Sequence, residues 1–352
     1  MKRYFNKGLF FQWFNSAKMV ILLGIIVWGI WCNSLVEKHI DRSSTIISHN
    51  FFNSYSTYTI FCYGILGIIF AVIHFMSQGI NKRNTGLFLT SAPYTKKQIK
   101  YNEFICLMMT LAVFIVVMIY INIMAYIRHY ELISIIDGYF TALFIEIIKM
   151  ILFGTIGILI LLIVDSMFSN TIVGIICMLT VLPASLLFIF IRLFTILDYL
   201  PAGNDISILR KISDFIGINI FRGNTIYLLE SCSISKISKG DIIIEIIFSI
   251  AIAVILLGIY YLMQKKYKVE SNTKMFTSKL NERIVVIFTS IGAGTIASQF
   301  FMSLYGQELA DINYTPLNGI VLAKVLSMDV IIVIVVAVIC NKLLNKILRS
   351  IQ

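Results

Sequence analysis

Charged side chains inside long apolar stretches are the residues of this sequence that are most able to do chemistry. Glu146 and Lys149 stand three residues apart in one such stretch, so a helix would place both on one face, where they can pair. A charge in lipid is costly unless it is compensated, and it therefore marks an internal ion pair or a contact with a transported molecule. We interpret these two residues as a mutually neutralised structural pair, with a contact to substrate as the alternative.

Three further residues in apolar stretches are candidates for shaping a transport path. Pro183 removes a backbone N–H from one stretch and predicts a kink or the wall of a cavity, and Arg192 closes the same stretch. Asp329 lies near the start of the last apolar stretch. A proton relay there would need acidic partners at a matching depth, and the sequence offers none.

Motifs for catalysis are absent from the sequence. The four histidines are scattered, and no H-E-x-x-H or G-x-S-x-G segment or paired-carboxylate pattern occurs. The phosphate-binding pattern G-x-x-x-x-G-K-[ST] is also missing, so the chain cannot cradle ATP by itself. We expect no enzymatic activity, metal or cofactor in this chain. If transport is ATP-driven, ATP and Mg²⁺ would be bound by a partner ATPase.

Composition places the elements that carry these residues in a membrane. The chain is 59% hydrophobic and 13% charged, and no soluble domain of this length hides that much apolar surface. Apolar runs long enough to cross about 30 Å of hydrocarbon recur along it, and lipid requires them to be helices. The predicted fold is an all-α polytopic membrane protein with about eight transmembrane helices, at 19–36, 58–77, 104–126, 138–164, 171–196, 241–264, 284–304 and 322–344.

The net charge of +11 indicates membrane topology rather than binding to nucleic acid. Lys and Arg concentrate in the segments that become cytoplasmic if the N-terminus is inside, so the positive-inside rule predicts that both termini are cytoplasmic. Residues 1–18 interleave basic and aromatic side chains, which is typical of an amphipathic helix lying at the membrane interface against anionic lipids. A simple juxtamembrane anchor is the alternative for this segment.

The segment 78–103 between the second and third predicted spans has the features of a docking loop. An apolar run is followed by a break at Pro93, and Thr95 and Gln98 have capping-box spacing, which predicts that a helix begins near Lys96. A simple connector needs neither an apolar turn nor a break, so we expect this loop to bind a cytoplasmic partner. Its apolar and basic side chains are Leu87, Phe88, Leu89, Lys82, Arg83, Lys96, Lys97 and Lys100.

The order of these parts resembles the permease subunit of type-2 ABC exporters. That family has an interfacial N-terminal helix, a coupling helix after the second span, a very short turn after the fourth, and a long external loop before the sixth. Here the corresponding segments are 1–18, 84–100, 165–170 and 197–240, and residues 90–99 are similar to the coupling segment of bacterial members. The resemblance covers about residues 1–264. A basic linker and two additional spans, 265–352, resemble an extended eight-span form in Firmicutes.

This resemblance implies a domain order of interfacial helix (1–18), six-span core (19–264) and two-span extension (265–352) in a bacterial plasma membrane. It also implies that a separate ABC ATPase subunit binds the coupling loop, and that ATP-driven motion of this subunit reshapes a cavity between two permease copies. Leu87, Phe88 and Leu89 would form an apolar plug, and Lys96, Lys97 and Lys100 would contact ATPase acids or phospholipid. Pro93, Tyr94 and Thr95 complete the coupling segment. The cargo implied is an amphiphilic drug, an antimicrobial peptide or an envelope lipid.

Other classes of protein remain as alternatives. A secondary transporter driven by ions or protons predicts inverted repeats and ionisable groups at mid-membrane, and the sequence shows no repeat and few such charges. A membrane scaffold or sensor partner would use its loops rather than a cavity. A membrane enzyme would need a polar cluster near one interface. A neighbouring ATPase subunit distinguishes the first two of these classes from an ABC permease.

Overall fold

The computed structural model describes residues 6–48, 54–78, 94–169, 171–199, 227–237, 239–266, 276–305 and 319–351. Four of the predicted coupling residues, Leu87, Phe88, Leu89 and Pro93, lie outside this part of the chain, as does most of the predicted external loop 197–240. The end of the predicted docking loop, from Tyr94 onward, lies within it.

Helices account for nearly all of the described structure, and its only strand-like pairings are isolated bridges. Two 3₁₀ turns, Ile60–Tyr63 and Ile234–Lys236, and one π-helical turn, Cys177–Val181, accompany the α-helices. We number the α-helices α1 (Lys7–Ser48), α2 (Gly64–Gln78), α3 (Lys96–Arg128), α4 (Tyr130–Ile133), α5 (Tyr139–Met167), α6 (Thr171–Ile176), α7 (Leu182–Tyr199), α8 (Lys239–Lys266), α9 (Lys279–Tyr305) and α10 (Gly319–Ile351).

Seven helical segments within the described residues are long and apolar enough to cross a membrane. The chain is therefore a multi-pass, all-α membrane protein, as its composition predicts. The fifth predicted span, 171–196, is helical but is divided into α6, the π-helical turn and α7, and it is not among the seven. The candidate spans are Lys7–Arg42, Ile60–Ser77, Gln98–Arg128, Tyr139–Met167, Gly240–Gln264, Lys279–Phe301 and Lys324–Leu348.

Helix α1 spans the predicted boundary between an interfacial helix and the first span. It runs without a break through residue 18 for 42 residues, which at about 1.5 Å per residue is about 63 Å, twice the thickness of the hydrocarbon layer. Trp13 and Ala17 are 8% and 0% exposed, whereas Phe11 and Phe14 are 70% and 44% exposed, so one face of this part of the helix packs against protein and another is open. The interfacial position predicted for residues 1–18 stays a prediction.

The chain divides into two compact units that differ from the predicted core and extension. The first unit comprises 1–163 and 213–267, and in it α1 packs against α2 and α3. The second comprises 164–212 and 268–352, and in it α9 packs against α7 and α10. The fifth predicted span therefore groups with the two C-terminal spans, whereas the predicted division placed it in the six-span core.

Glycines on α9 bring the helices of the second unit close together. A Cβ atom built on Gly294 would lie 2.6 Å from the carbonyl oxygen of Val333 in α10, and one built on Gly292 would lie 2.7 Å from the side chain of Ser185 in α7. Small residues allow such approach between membrane helices, where packing replaces the hydrophobic effect as the main source of association. Helix α9 thus depends on having no side chain at either position.

The predicted short turn after the fourth span is confirmed, since α5 ends at Met167 and α6 begins at Thr171. The residues preceding α9 lie on this turn: the Thr277 N–H donates to the Met167 carbonyl at 3.0 Å. The Phe276 ring lies against that of Phe168, with centroids 5.3 Å apart. Helix α9 is therefore anchored where α5 ends, within the second unit.

Candidate functional site

The capping box at the start of α3 is confirmed. The Gln98 N–H donates to the Thr95 hydroxyl at 3.3 Å, and the Thr95 N–H donates to the Gln98 side-chain oxygen at 3.0 Å. These two bonds satisfy donors that the first helical turn cannot pair internally. The predicted docking loop therefore ends at a fixed helix start.

The basic side chains of the coupling segment fall into two groups. Those of Lys96 and Lys97 lie outside the described part of the chain. The Lys100 ammonium lies 2.9 Å from the Glu103 carboxylate, and both side chains are largely buried. Glu103, one turn away, provides a counter-charge for Lys100, and the expected contact of Lys100 with ATPase acids or phospholipid stays a prediction.

Tyr94, the residue before the cap, lies against α1. Its hydroxyl oxygen is 2.9 Å from the point that a Cβ atom on Gly8 would occupy, so the close contact depends on the glycine. One helical turn into α3, the Lys100 carbonyl accepts a hydrogen bond from the Tyr260 hydroxyl of α8 at 3.1 Å. The start of α3 is consequently connected to two other long helices of the first unit.

Glu146 and Lys149 form the predicted pair on α5. The Lys149 ammonium is 3.3 Å from the Glu146 carboxylate, and Lys149 and Glu146 are 0% and 2% exposed, respectively. The Tyr63 hydroxyl also donates to this carboxylate. The pairing predicted from the spacing is confirmed.

The pair also holds the backbone of residues 54–60, which we call the strap. The strap is extended up to Thr59, and Ile60 begins the 3₁₀ turn. The Tyr58 N–H donates to Glu146 Oε1 at 2.7 Å, and the Lys149 ammonium donates to the Tyr58 carbonyl at 2.8 Å. One residue of the strap thus has both of its backbone polar groups bound by two charged side chains of one helical turn. This contact was not predicted from the sequence, since no local pattern shows which backbone a buried charge will meet.

A third acidic residue, Glu245 of α8, acts in the same way on a second segment, residues 227–237, which we call the pairing segment. Its carboxylate accepts the N–H groups of Tyr227 at 3.1 Å and Leu228 at 2.8 Å. The pairing segment runs antiparallel to the strap: Thr57 N–H donates to the Cys232 carbonyl at 2.9 Å, and Ile234 N–H donates to the Tyr55 carbonyl at 3.0 Å. Carboxylates from two helices therefore hold two paired segments.

Tyrosine side chains of the strap fill the core at the predicted external end of the first unit. Tyr55 and Tyr58 are 3% and 4% exposed and pack in a cluster with Val36, Ile40, Ala125, Ile133, Ile136, Tyr139 and Ala142. The two phenol oxygens lie 3.4 Å apart. Burial raises the pKa of Tyr55 to about 12, which keeps its hydroxyl protonated.

Gly138, just before α5, makes room for both segments. Its φ of +86° lies in the region that favours glycine, and a Cβ atom there would be 2.9 Å from the Ile234 side chain. The preceding residue, Asp137, accepts the Tyr55 N–H on its carbonyl at 3.0 Å. A residue without a Cβ is therefore required where the strap, the pairing segment and the start of α5 meet.

The second unit contains a different buried ion pair, between Arg192 of α7 and Asp329 of α10. Arg192 Nε donates to Asp329 Oδ1 at 2.9 Å, and Arg192 Nη2 lies 2.8 Å from the same oxygen. Each residue is 2% exposed. The α9 helix completes the cluster, as Gln299 accepts from Arg192 Nη1 at 3.2 Å and the Ser298 hydroxyl donates to Asp329. Arg192 and Asp329 were both candidates from the sequence, but their pairing was not predicted.

Pro183 lies next to the π-helical turn that interrupts the fifth predicted span. The Leu182 N–H bonds to the carbonyl of Cys177, five residues back, and the Thr180 hydroxyl donates to the Ile176 carbonyl at 2.6 Å. A proline cannot donate to the carbonyl four residues before it and its ring crowds that carbonyl, which a wider turn relieves. A π-helical turn thus precedes Pro183, and the predicted kink or cavity wall at this residue stays a prediction.

The fold and these sites define a multi-pass, all-α membrane protein with two buried ion pairs, Glu146–Lys149 and Arg192–Asp329. Among the residues that the structure describes, no group of three or more His, Cys, Asp or Glu side chains is arranged to hold a metal ion. Comparison of the chain with protein-family models, with curated proteins and with solved structures gave no match.

Proposed function

We propose that this chain is the membrane-spanning permease subunit of an ATP-driven ABC transporter of the type-2 exporter class. A separate ATPase subunit docks on the 84–100 loop and binds ATP and Mg²⁺, and a second permease copy or a paralogue completes the transport cavity. The cargo is an amphiphilic drug, an antimicrobial peptide or an envelope lipid. The protein resides in a bacterial plasma membrane with both termini in the cytoplasm.

The observation that carries this proposal is the fixed junction between the docking loop and α3. The Thr95–Gln98 capping box ends the loop, Tyr94 lies on α1 at Gly8, and Lys100 is bonded through its carbonyl to α8. A displacement of the loop would therefore be transmitted directly to the long helices α1, α3 and α8, as the coupling element of an ATP-driven pump requires. A loop of a passive connector needs no such attachment.

The buried charges give less support to a carrier driven by ions or protons. Such a carrier exchanges protons or ions at acidic groups in mid-membrane. Here Glu146 is bonded to Lys149 and Tyr63, and Asp329 is bonded to Arg192 and Ser298. Releasing either carboxylate would leave a buried cation without its partner.

The test is co-purification of the detergent-solubilised chain with a co-expressed candidate ABC ATPase subunit. We expect the ATPase to bind the wild-type chain and to be lost from the Leu87→Asp, Phe88→Asp double variant, because two charges replace the apolar plug. A matched variant, Ile208→Asp with Leu209→Asp, carries the same change in the predicted external loop and should retain the ATPase. Size-exclusion profiles of all three chains establish that each is folded.

Two results would overturn the proposal. If the wild-type chain binds no ATPase, its main support is lost and the carrier and scaffold classes take precedence. If the ATPase binds the wild type and both double variants equally, docking does not use the 84–100 loop.

A further inference from the structure

The contacts of Tyr58 are those of a peptide group recognised by a binding site. Glu146 supplies an acceptor at 2.7 Å from its N–H, and Lys149 supplies a donor at 2.8 Å from its carbonyl. Hydrogen bonds to charged groups are stronger than neutral ones, and both are made here in a buried setting. Because the partners are backbone groups, the pair would bind any extended residue that presents an N–H and a carbonyl in this way.

Side-chain pockets flank this backbone contact. The ring of Tyr55 lies edge-on to that of Tyr139, with centroids 4.9 Å apart, and the ring of Tyr58 lies edge-on to His39 at 4.5 Å. Small residues, Ala125 and Ala142, line the same cluster. Two aromatic side chains three residues apart in an extended segment therefore have apolar sites of their own beside the Glu146–Lys149 pair.

The opposite edge of the strap is bound as an added strand would be. The pairing segment exchanges backbone hydrogen bonds with Tyr55, Thr57 and Ile60, and the Cys232 N–H donates to the Thr57 hydroxyl at 3.1 Å. Addition of an extended peptide to an exposed strand edge is a common mode of peptide recognition, with the backbone giving affinity and alternate side-chain pockets giving specificity. The strap is thus bound through its backbone by the Glu146–Lys149 pair and by the pairing segment, and its two tyrosine rings occupy aromatic pockets.

We propose that Glu146, Lys149, the tyrosine pockets and the pairing segment form a binding site for an extended polypeptide, and that the strap occupies this site as a displaceable cover. The ligand class is a neutral, extended segment with aromatic side chains three residues apart and a free N–H at the second aromatic. The site does not depend on the proposed ATPase partner, because all of its residues belong to the first unit.

The probe is a fluorescent, end-blocked synthetic peptide with the sequence of residues 54–60, and its binding to the purified full-length chain is measured by anisotropy. We expect saturable binding. A peptide N-methylated at Tyr58 keeps the aromatic ring but lacks the N–H that Glu146 accepts, and it should bind about tenfold more weakly or worse, as expected for the loss of one hydrogen bond to a charged group. The N-methylated peptide controls for adsorption to detergent, since all of its side chains are the same.

A disulfide lock tests whether the peptide and the strap compete for one site. Ser56 and Ser233 are directly opposed in the antiparallel bridge between the strap and the pairing segment, a position whose spacing suits a disulfide. In a Cys232→Ser background, Ser56→Cys with Ser233→Cys should abolish peptide binding when oxidised and restore it when reduced. Reduction serves as the control for folding, because the same molecules are measured in both states.

Three results would overturn the proposal: no binding of the strap peptide, equal binding of the N-methylated peptide, or binding that the lock leaves unchanged. Each would make the strap a permanent part of the core and the Glu146–Lys149 pair a structural one. None of these results bears on ATPase co-purification, so this site and the proposed function can fail independently.

Discussion

At the scale of single residues, the two buried ion pairs differ in what surrounds them. Lys149 and Glu146 bind each other and a backbone segment within one unit, so each has several partners. Arg192 depends on Asp329 for charge neutralisation and on Gln299 for one further bond. Removal of one member of a buried pair leaves an uncompensated charge, which is more destabilising than the absence of both. Arg192 and Asp329 are therefore the most sensitive test of the second unit.

Substitution of Asp329 by asparagine should destabilise the protein by about 3 kcal/mol, since Arg192 would remain charged and buried. The measurement is unfolding of the purified chain in mixed micelles by titration with a denaturing detergent. The control is Lys324→Ala at the start of the same span, where the side chain is exposed and we expect a change within about 0.5 kcal/mol. Equal stability of the wild type and Asp329→Asn would contradict the proposed role of the pair.

Gly138→Ala should destabilise the first unit by about 1–3 kcal/mol, because alanine is strained at this backbone conformation and its Cβ would meet Ile234. The same detergent titration measures it. Gly157→Ala in α5 is the matched control: a Cβ there would meet nothing within 4 Å, and alanine favours the helix. If both alanine variants behave alike, the glycine before α5 is not required by the strap.

At the scale of secondary-structure elements, the start of α3 offers a local test. Thr95→Ala removes the hydroxyl that accepts the Gln98 N–H and should cost about 1 kcal/mol of local stability. Hydrogen exchange at the amides of the first helical turn should accelerate about fivefold. Thr95→Ser keeps the hydroxyl and should retain slow exchange. Unchanged protection in Thr95→Ala would show that the capping box does not hold this helix end.

Elements set by local sequence could be predicted, and those set by distant contacts could not. The cap at Thr95 follows from residues three apart, whereas the kink predicted from Pro183 did not indicate the π-helical turn that lies beside it. The continuity of α1 was missed because aromatic and basic residues suit both an interfacial helix and a helix packed on protein. The pairing of Arg192 with Asp329 joins residues 137 positions apart, and the contact of Lys149 with Tyr58 involves a backbone group. Neither leaves a periodic signal in the chain.

At the scale of the whole molecule, the two units are not consecutive in sequence. The second unit unites 164–212 with 268–352. The fifth predicted span can therefore pack against the two C-terminal helices only after the sixth predicted span has been synthesised. The close approaches at Gly292 and Gly294 and the Arg192–Asp329 pair all join elements of this unit. The two C-terminal spans are thereby part of the fold around Arg192 and not an appendage to a complete six-span core.

Separate expression of 1–267 and 268–352 in one cell should give two fragments that co-purify, because membrane helices can insert independently and associate afterwards. Asp329→Asn in the smaller fragment should reduce the amount recovered, whereas Lys324→Ala should leave it unchanged. Quantitative immunoblotting of the purified complex measures the recovery. Failure of the wild-type fragments to associate would contradict the assignment of the fifth span to the second unit.

The distance in sequence between Arg192 and Asp329 also determines how long after Arg192 its ion-pair partner is synthesised. The two residues are 137 positions apart, and at about 5–20 residues per second a ribosome needs roughly 7–27 s to pass from one to the other. During that interval Arg192 has emerged into the insertion machinery while the aspartate that neutralises it does not yet exist. Because Arg192 lies at the end of the predicted fifth span, its long side chain can reach interfacial water until Asp329 has been synthesised. The predicted fifth span is therefore synthesised well before the helix that supplies the counter-charge of Arg192.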